Sequence, residues 1–204
     1  MFRLFSPIWK ERFRRQARRH AIIMIMSTME TMTADREAAT INSRFKEKDL
    51  MTIEYRQAGK EDAELLVNIY NASFYDDYLR YGSCPGYGNT KEMMEESITR
   101  HPKHILLCDK KPVGCISYTN LGRGEYEVAC LCIVPDFQGK GIGTQAIRFL
   151  KTFLEDWEKL TLVTPIDKKQ NVKFYTEKCG FHIESTEKDG SVELARFVLI
   201  RTGC

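Results

Sequence analysis

One segment narrows what this chain can fold into more than any other: Leu131-Cys132-Ile133-Val134-Pro135-Asp136-Phe137-Gln138-Gly139-Lys140-Gly141-Ile142-Gly143-Thr144. An apolar strand pattern runs into a proline-ended turn, then three alternating glycines, then the spacing of an amphipathic helix. Glycine is needed where backbone takes positive φ or approaches a ligand closely. The first turn of a helix leaves its N–H groups unpaired and carries partial positive charge, which suits phosphate. The segment predicts an anion, with a pyrophosphate as the natural candidate, at a helix N-terminus that follows a buried strand.

Two familiar phosphate loops do not fit. The string G-x-x-x-x-G-K-[ST] is absent, and a dinucleotide fingerprint places G-x-G-x-x-G directly after its strand, whereas here Pro135-Asp136-Phe137-Gln138 intervenes.

The surrounding pattern is regular from Met51 onward. Strand alternation covers Thr52–Gln57, and a helix is expected over Lys60–Phe74, with Leu65, Leu66, Ile69 and Tyr70 on one side. An aromatic, glycine-rich connection follows over Tyr75–Thr90, then a short helix over Lys91–Thr99. His104–Cys108 and Val113–Thr119 flank the turn Asp109-Lys110-Lys111-Pro112 as a hairpin. Glu125–Val134 is expected to be a strand buried on both faces, and Gly141–Trp157 a helix with Ile142, Ala146, Phe149, Leu150 and Phe153 inside. A strand over Leu160–Thr164, a helix over Lys169–Lys178 and strands over Gly180–Ser185 and Val192–Ile200 close the order. Such alternation defines an α/β fold around a mixed sheet.

With Gln138 first and Gly141 and Gly143 following, the loop resembles the [RQ]-x-x-G-x-[GA] element of the GNAT N-acetyltransferases. The preceding strand, with Glu127, Val128, Leu131, Ile133 and Pro135, resembles that family's fourth strand, and Asn171-Val172-Lys173-Phe174-Tyr175-Thr176-Glu177-Lys178-Cys179-Gly180-Phe181 resembles its late Phe-Tyr element. The resemblance covers about residues 52–200. It implies a mixed, mostly antiparallel sheet with helices on both faces and strands 4 and 5 splayed around acetyl-CoA as co-substrate. It also implies that Leu131, Cys132 and Ile133 meet the pantetheine arm, and that Gln138, Gly139, Lys140, Gly141, Ile142, Gly143 and Thr144 hold the pyrophosphate. Tyr175 matches the family's general acid, a phenol that protonates the departing thiolate, although a core role for it stays open. Glu127 falls where many members carry a base, and there a solvated or substrate-binding charge is an equal reading. Many relatives place Asn seven residues before the Tyr and a small residue four before. Here Lys168 and Asn171 stand there, so either Asn171 reaches the cofactor or Lys168 supplies charge to it.

The resemblance implies an amine acceptor, and the stretch that follows favours a small-molecule amine over an acidic one, with a solvent-exposed helix end as an equal reading of the same residues. Tyr75-Asp76-Asp77-Tyr78, with Tyr81 and Tyr87, offers carboxylates and aromatic faces to a cation. Acetylation of a protein amine and a non-catalytic acyl-CoA-binding module are the competing readings. A homodimer is compatible with the sequence, which carries no signal for or against it.

Composition sets the remaining limits. The chain has 204 residues and a net charge of +3, but residues 1–50 hold 11 Lys/Arg against 6 Asp/Glu, leaving the rest at −2, so nucleic acid is not the expected partner of the domain. The longest apolar run, Ala21–Met26, is too short to span a membrane or to form a signal-peptide core, which points to the cytoplasm. Seven scattered cysteines form no CxxC pair and four histidines add no ligand spacing, so no metal is expected and the thiols should be reduced. Residues 1–50, with the basic run Arg12–Arg19, are expected to be a poorly ordered extension to a domain spanning 51–204. Met51 is one of several possible starts, which leaves open whether the extension belongs to the natural protein.

Overall fold

The computed structural model describes residues 52–202, so the expectations for residues 1–50 and for Met51 as a start lie outside the described residues. Seven strands form one sheet: β1 (Ile53–Gln57), β2 (Lys103–Cys108), β3 (Lys111–Gly122), β4 (Glu125–Ile133), β5 (Lys159–Pro165), β6 (His182–Asp189) and β7 (Val192–Ile200). Their order is β1-β2-β3-β4-β5-β7-β6, and every neighbouring pair is antiparallel except β4 with β5. The helices are α1 (Ala63–Tyr81), α2 (Lys91–Arg100), α3 (Ile142–Phe153) and α4 (Lys169–Lys173), the last continuing into a π-helical turn at Phe174–Lys178.

Strand alternation sends successive side chains to opposite faces, and each face has its own core. On one face Ile142, Ala146, Ile147 and Leu150 of α3 pack on Leu106, Ile116, Val128, Leu160, Leu162 and Phe197. On the other, Leu66, Ile69 and Tyr70 of α1 and Met94 of α2 pack on Ile105, Cys115 and Cys132. Leu66 and Leu150 are fully buried, so truncating either to alanine should cost about 2–5 kcal/mol. The mixed sheet with helices on both faces is the expected architecture.

Several details differ from the sequence reading. The β2–β3 turn is only Asp109-Lys110, both at positive φ (49° and 63°), the mirror-image turn that matches strand twist. Pro112 therefore lies in β3, beside the register shift opposite Leu106 and Leu107. α1 runs on through Tyr75–Tyr81 and stops only at Gly82, whose φ of 74° ends the helix. α3 ends at Phe153, which is 45% exposed, while Ile147 takes the buried place. Trp157 sits beyond the helix, its Nε1 donating to the Lys151 carbonyl at 3.0 Å.

The strand expected to be buried on both faces is not. In β4 only Tyr126, Val128 and Cys132 are buried. The reason is pairing: β4 meets β5 over Glu125–Glu127 alone, opposite Lys159–Thr161. Just beyond, Ala129 is the extra residue of a bulge, since Ser117 pairs with Cys130 and Tyr118 with Val128. The two parallel strands then separate, and Val128–Ile133 faces an open wedge.

Candidate active site

Chain geometry builds one side of the wedge almost entirely from backbone. β4 ends in a 3₁₀ turn at Pro135–Phe137, which turns the chain before the glycines. Gln138 is exposed, and its Nε2 donates to the Ile133 carbonyl at 2.8 Å, tying the loop to the strand end. Gly139 (φ 74°) and Gly141 (φ 81°) are both left-handed, and a Cβ on either would meet nothing within 4 Å. They are glycines for their torsions and for the free space beside them. Gly143 is small for a different reason. A Cβ there would lie 3.0 Å from Cζ of Phe174, so the glycine lets α3 press against the residue before Tyr175. Gly141 is the N-cap of α3, leaving the N–H groups of Ile142, Gly143 and Thr144 without intrahelical acceptors. Lys140 adds a nearby ammonium, 4.8 Å from the centre of the Phe137 ring.

Leu131, Cys132 and Ile133 lie on the length of β4 that has left β5, with an edge toward the wedge that no described strand pairs. Tyr175 is buried in the π-helical turn, its ring against Phe174, Phe181 and Phe197 at 4.9, 5.9 and 5.7 Å. Burial, and then the thiol of Cys130 on β4, raise its phenol well above the usual range, so it stays protonated at physiological pH. Tyr175 belongs to the same core cluster as Val128 of β4, against which Leu131 and Ile133 pack. Through Gly143 against Phe174 and the packing of Leu131 and Ile133, the glycine loop, the end of β4 and the Tyr175 turn lie next to one another.

A second group of contacts, between α1 and the segment after β5, is built from side chains. Asp77 on α1 accepts from Lys168 Nζ at 2.7 Å. Asp167 accepts from Arg80 Nη2 at 2.7 Å and from the Tyr81 hydroxyl at 2.6 Å. These bonds lower the Asp167 carboxyl, the Tyr81 contact most, while burial and the same carboxylate raise the Tyr81 phenol. The second half of α1 is thereby fastened to the β5–α4 connection. Lys168 is engaged by Asp77, and the Asn171 amide donates to Thr164 Oγ1 of β5 at 3.2 Å. Tyr78 and Tyr87 stack at 4.5 Å beside Tyr75, leaving Asp76 as the unpaired carboxylate of that stretch.

Glu127 is the last β4 residue that pairs with β5, and Arg196 of β7 stands 3.8 Å from its carboxylate. Sequence reasoning missed Arg196, along with Lys103 and Ser117, because strand register alone brings them together. Among the described residues there is no group of three or more His, Cys, Asp or Glu able to hold a metal, and no helix is long and apolar enough to cross a membrane.

The sequence model of the Acetyltransferase (GNAT) family matches residues 64–181, from α1 through the Tyr175 turn. This chain belongs to that family. The protein YrkN of Bacillus subtilis (strain 168) is 31% identical over 80 residues, 39% of this chain and 43% of that one, so the match spans less than half of its length. Among solved structures, an acetyltransferase from Thermus thermophilus superimposes with a TM-score of 0.60 at 21% identity, covering 74% of this chain and 98% of that one. The spermidine N-acetyltransferase of Vibrio cholerae, in complex with CoA and spermine, superimposes with a TM-score of 0.58 at 18% identity, covering 72% and 95%. At these identities the two superpositions speak for the fold. Acetyl-CoA is the co-substrate consistent with the family, and the cleft provides the free strand edge and unpaired N–H groups that such a molecule requires.

Proposed function

We propose that this protein transfers the acetyl group of acetyl-CoA to a primary amine of a small molecule, by direct attack of the amine on the thioester, in the cytoplasm. The observation that carries the reading is the wedge, where a β4 edge released from β5 after Glu127 leads directly into a left-handed glycine loop at a helix N-terminus. In this reading the N–H groups from Gln138 to Thr144 hold the pyrophosphate. Leu131, Cys132 and Ile133 pair with the pantetheine arm, and Asn171 borders it from its anchor on Thr164. Tyr175 protonates the departing thiolate, which its neutral phenol is suited to do.

An ammonium of pKa near 10 must lose a proton before it attacks. Glu127 is proposed as the acceptor of that proton, at the point where the strands part, with Arg196 orienting its carboxylate. The acceptor enters beside α1 and the connection after it. Asp76 with Tyr75, Tyr78 and Tyr87 favours a cationic amine there, and the likeness to a fold that binds spermine supports the same class. Acetyl-CoA turnover over a panel of polyamines, amino sugars and amino acids tests the reading. Amine-dependent release of the CoA thiol is expected, and its absence across the panel would refute it.

A further inference from the structure

A polar cluster beside the wedge has no part in the mechanism above. Strand register sets Lys103 of β2 opposite Ser117 of β3, and Ser117 opposite Cys130 of β4, so all three share one row on the α1 face. Tyr70 of α1 covers the row, with Lys103 Nζ 5.6 Å from the centre of its ring. Lys103, Ser117 and Tyr70 are 3%, 0% and 7% exposed. A buried ammonium calls for a counter-charge, yet Lys103 pairs with no carboxylate among the described residues. The Ser117 hydroxyl is buried without a hydrogen-bond partner directly across the register from Cys130, and the buried Tyr70 hydroxyl lies within reach of the Cys130 thiol. Cys130 itself is only partly buried, next to the Ala129 bulge and one residue before Leu131.

We propose that Cys130 is a nucleophile that takes the acetyl group from bound acetyl-CoA when no amine is present, so that the chain carries a thioester at Cys130. The inference rests on the acetyl-CoA reading above and adds a second activity to the same wedge. Lys103 supplies the charge opposite the thiolate, Tyr70 supports the thiolate, and the Ser117 hydroxyl is the donor for the acetyl oxygen. The chemistry of the cluster agrees: a hydrogen bond from Cys132, followed against burial by Tyr70 and Lys103, lowers the Cys130 thiol, while burial raises its neighbours Cys115 and Cys132. Thiolates are the reactive form of cysteine.

The step balances without another reactant. The Cys130 sulfur bonds to the acetyl carbon, the bond from that carbon to the CoA sulfur breaks, and the CoA thiolate takes a proton from Tyr175, which regains one from water. One thioester replaces another, so the exchange is close to thermoneutral and reversible. CoA takes the group back by the reverse exchange, and the bound acetyl-CoA so restored remains the donor to an arriving amine.

The test uses the full chain with acetyl-CoA and no amine, read by intact mass and peptide mapping. One acetyl group on Cys130, removed by hydroxylamine and absent in Cys130→Ala, is expected. The unmodified chain gives an independent reading that does not depend on a variant folding. Iodoacetamide should label Cys130 before the other thiols at neutral pH, and saturating acetyl-CoA should slow that labelling by at least about tenfold, as expected when access to a reactive thiolate is blocked. Lys103→Met should slow it as well, with Lys103→Arg restoring part of the rate. If the protein binds CoA and acetylates an amine while Cys130 stays unacetylated and labels no faster than Cys179, this inference fails alone. If CoA does not bind at all, it fails together with the reading beneath it.

Discussion

The two sides of the wedge are made by different means. On the cofactor side, the end of β4, the glycine loop and the start of α3 are consecutive in the chain, and what they present is backbone: a strand edge and a set of N–H groups. On the proposed acceptor side, α1 is fastened to the β5–α4 connection by Lys168–Asp77, Arg80–Asp167 and Tyr81–Asp167, across separations of 91, 87 and 86 residues. A site presented by backbone constrains the sequence mainly at its glycines. A site fastened by surface side chains can be rebuilt by exchanging them, which suits a fold that keeps one co-substrate and changes its acceptor.

If that contrast is right, damage on the two sides should differ in kind. The largest effect is expected at the chemistry they share. Tyr175→Phe should lower kcat by about 10²–10⁴-fold with CoA affinity unchanged, as expected for loss of a general acid. Calorimetry with CoA beside steady-state kinetics separates this from a packing defect, which would weaken both. On the acceptor side, Asp77→Asn removes the partner of the largely buried Lys168. Loss of a charge-assisted bond of this kind costs about 1.5–3 kcal/mol, and it should raise the amine KM far more than the acetyl-CoA KM. An equal rise in both would mean that the fastening does not belong to one side.

A smaller effect follows from His104, which is buried against Tyr118, Phe149 and Phe153 with its Nδ1 unpartnered. Burial lowers its pKa below the ordinary value near 6.5. The unfolded chain then binds the extra proton first, so this contribution to stability is complete above about pH 6.5 and declines as pH falls from there toward the lowered folded value. Thermal unfolding between neutral and mildly acid pH should show that decline, and His104→Phe should flatten it. The smallest effect is expected from the N-terminal extension: a chain beginning at Met51 should match the full chain in melting temperature and acetyl transfer. A drop of several degrees would place residues 1–50 in the fold.

The same contrast explains what could be read from the sequence. The glycine loop was legible because its shape, and the role proposed for it, lie in contiguous residues, Gln138 through Thr144. Sheet and helix order were legible from periodicity over Glu125–Val134 and Gly141–Trp157. Periodicity alone ends α1 at Phe74, because the aromatic and acidic residues beyond it lack an apolar stripe, and the partners that hold them helical lie far along the chain. It also overstates the burial of β4, because an apolar run does not reveal that its neighbour strand departs after Glu127. The pairing of Glu127 with Arg196 and the row Lys103–Ser117–Cys130 depend on register across strands, which no local pattern encodes.

The central claim is that the backbone at the start of α3 holds the CoA pyrophosphate. Isothermal titration of CoA into Gly141→Val and into the unmodified protein tests it most directly. Gly141 is left-handed at φ 81°, and a valine Cβ there would meet no other atom within 4 Å, so the fold should survive while the loop loses its shape and its free space. CoA affinity should fall by more than about tenfold, or about 1.4 kcal/mol, in a protein that stays folded with a melting temperature lowered only by the strain of a side chain at positive φ. Equal affinity in the two proteins would contradict it.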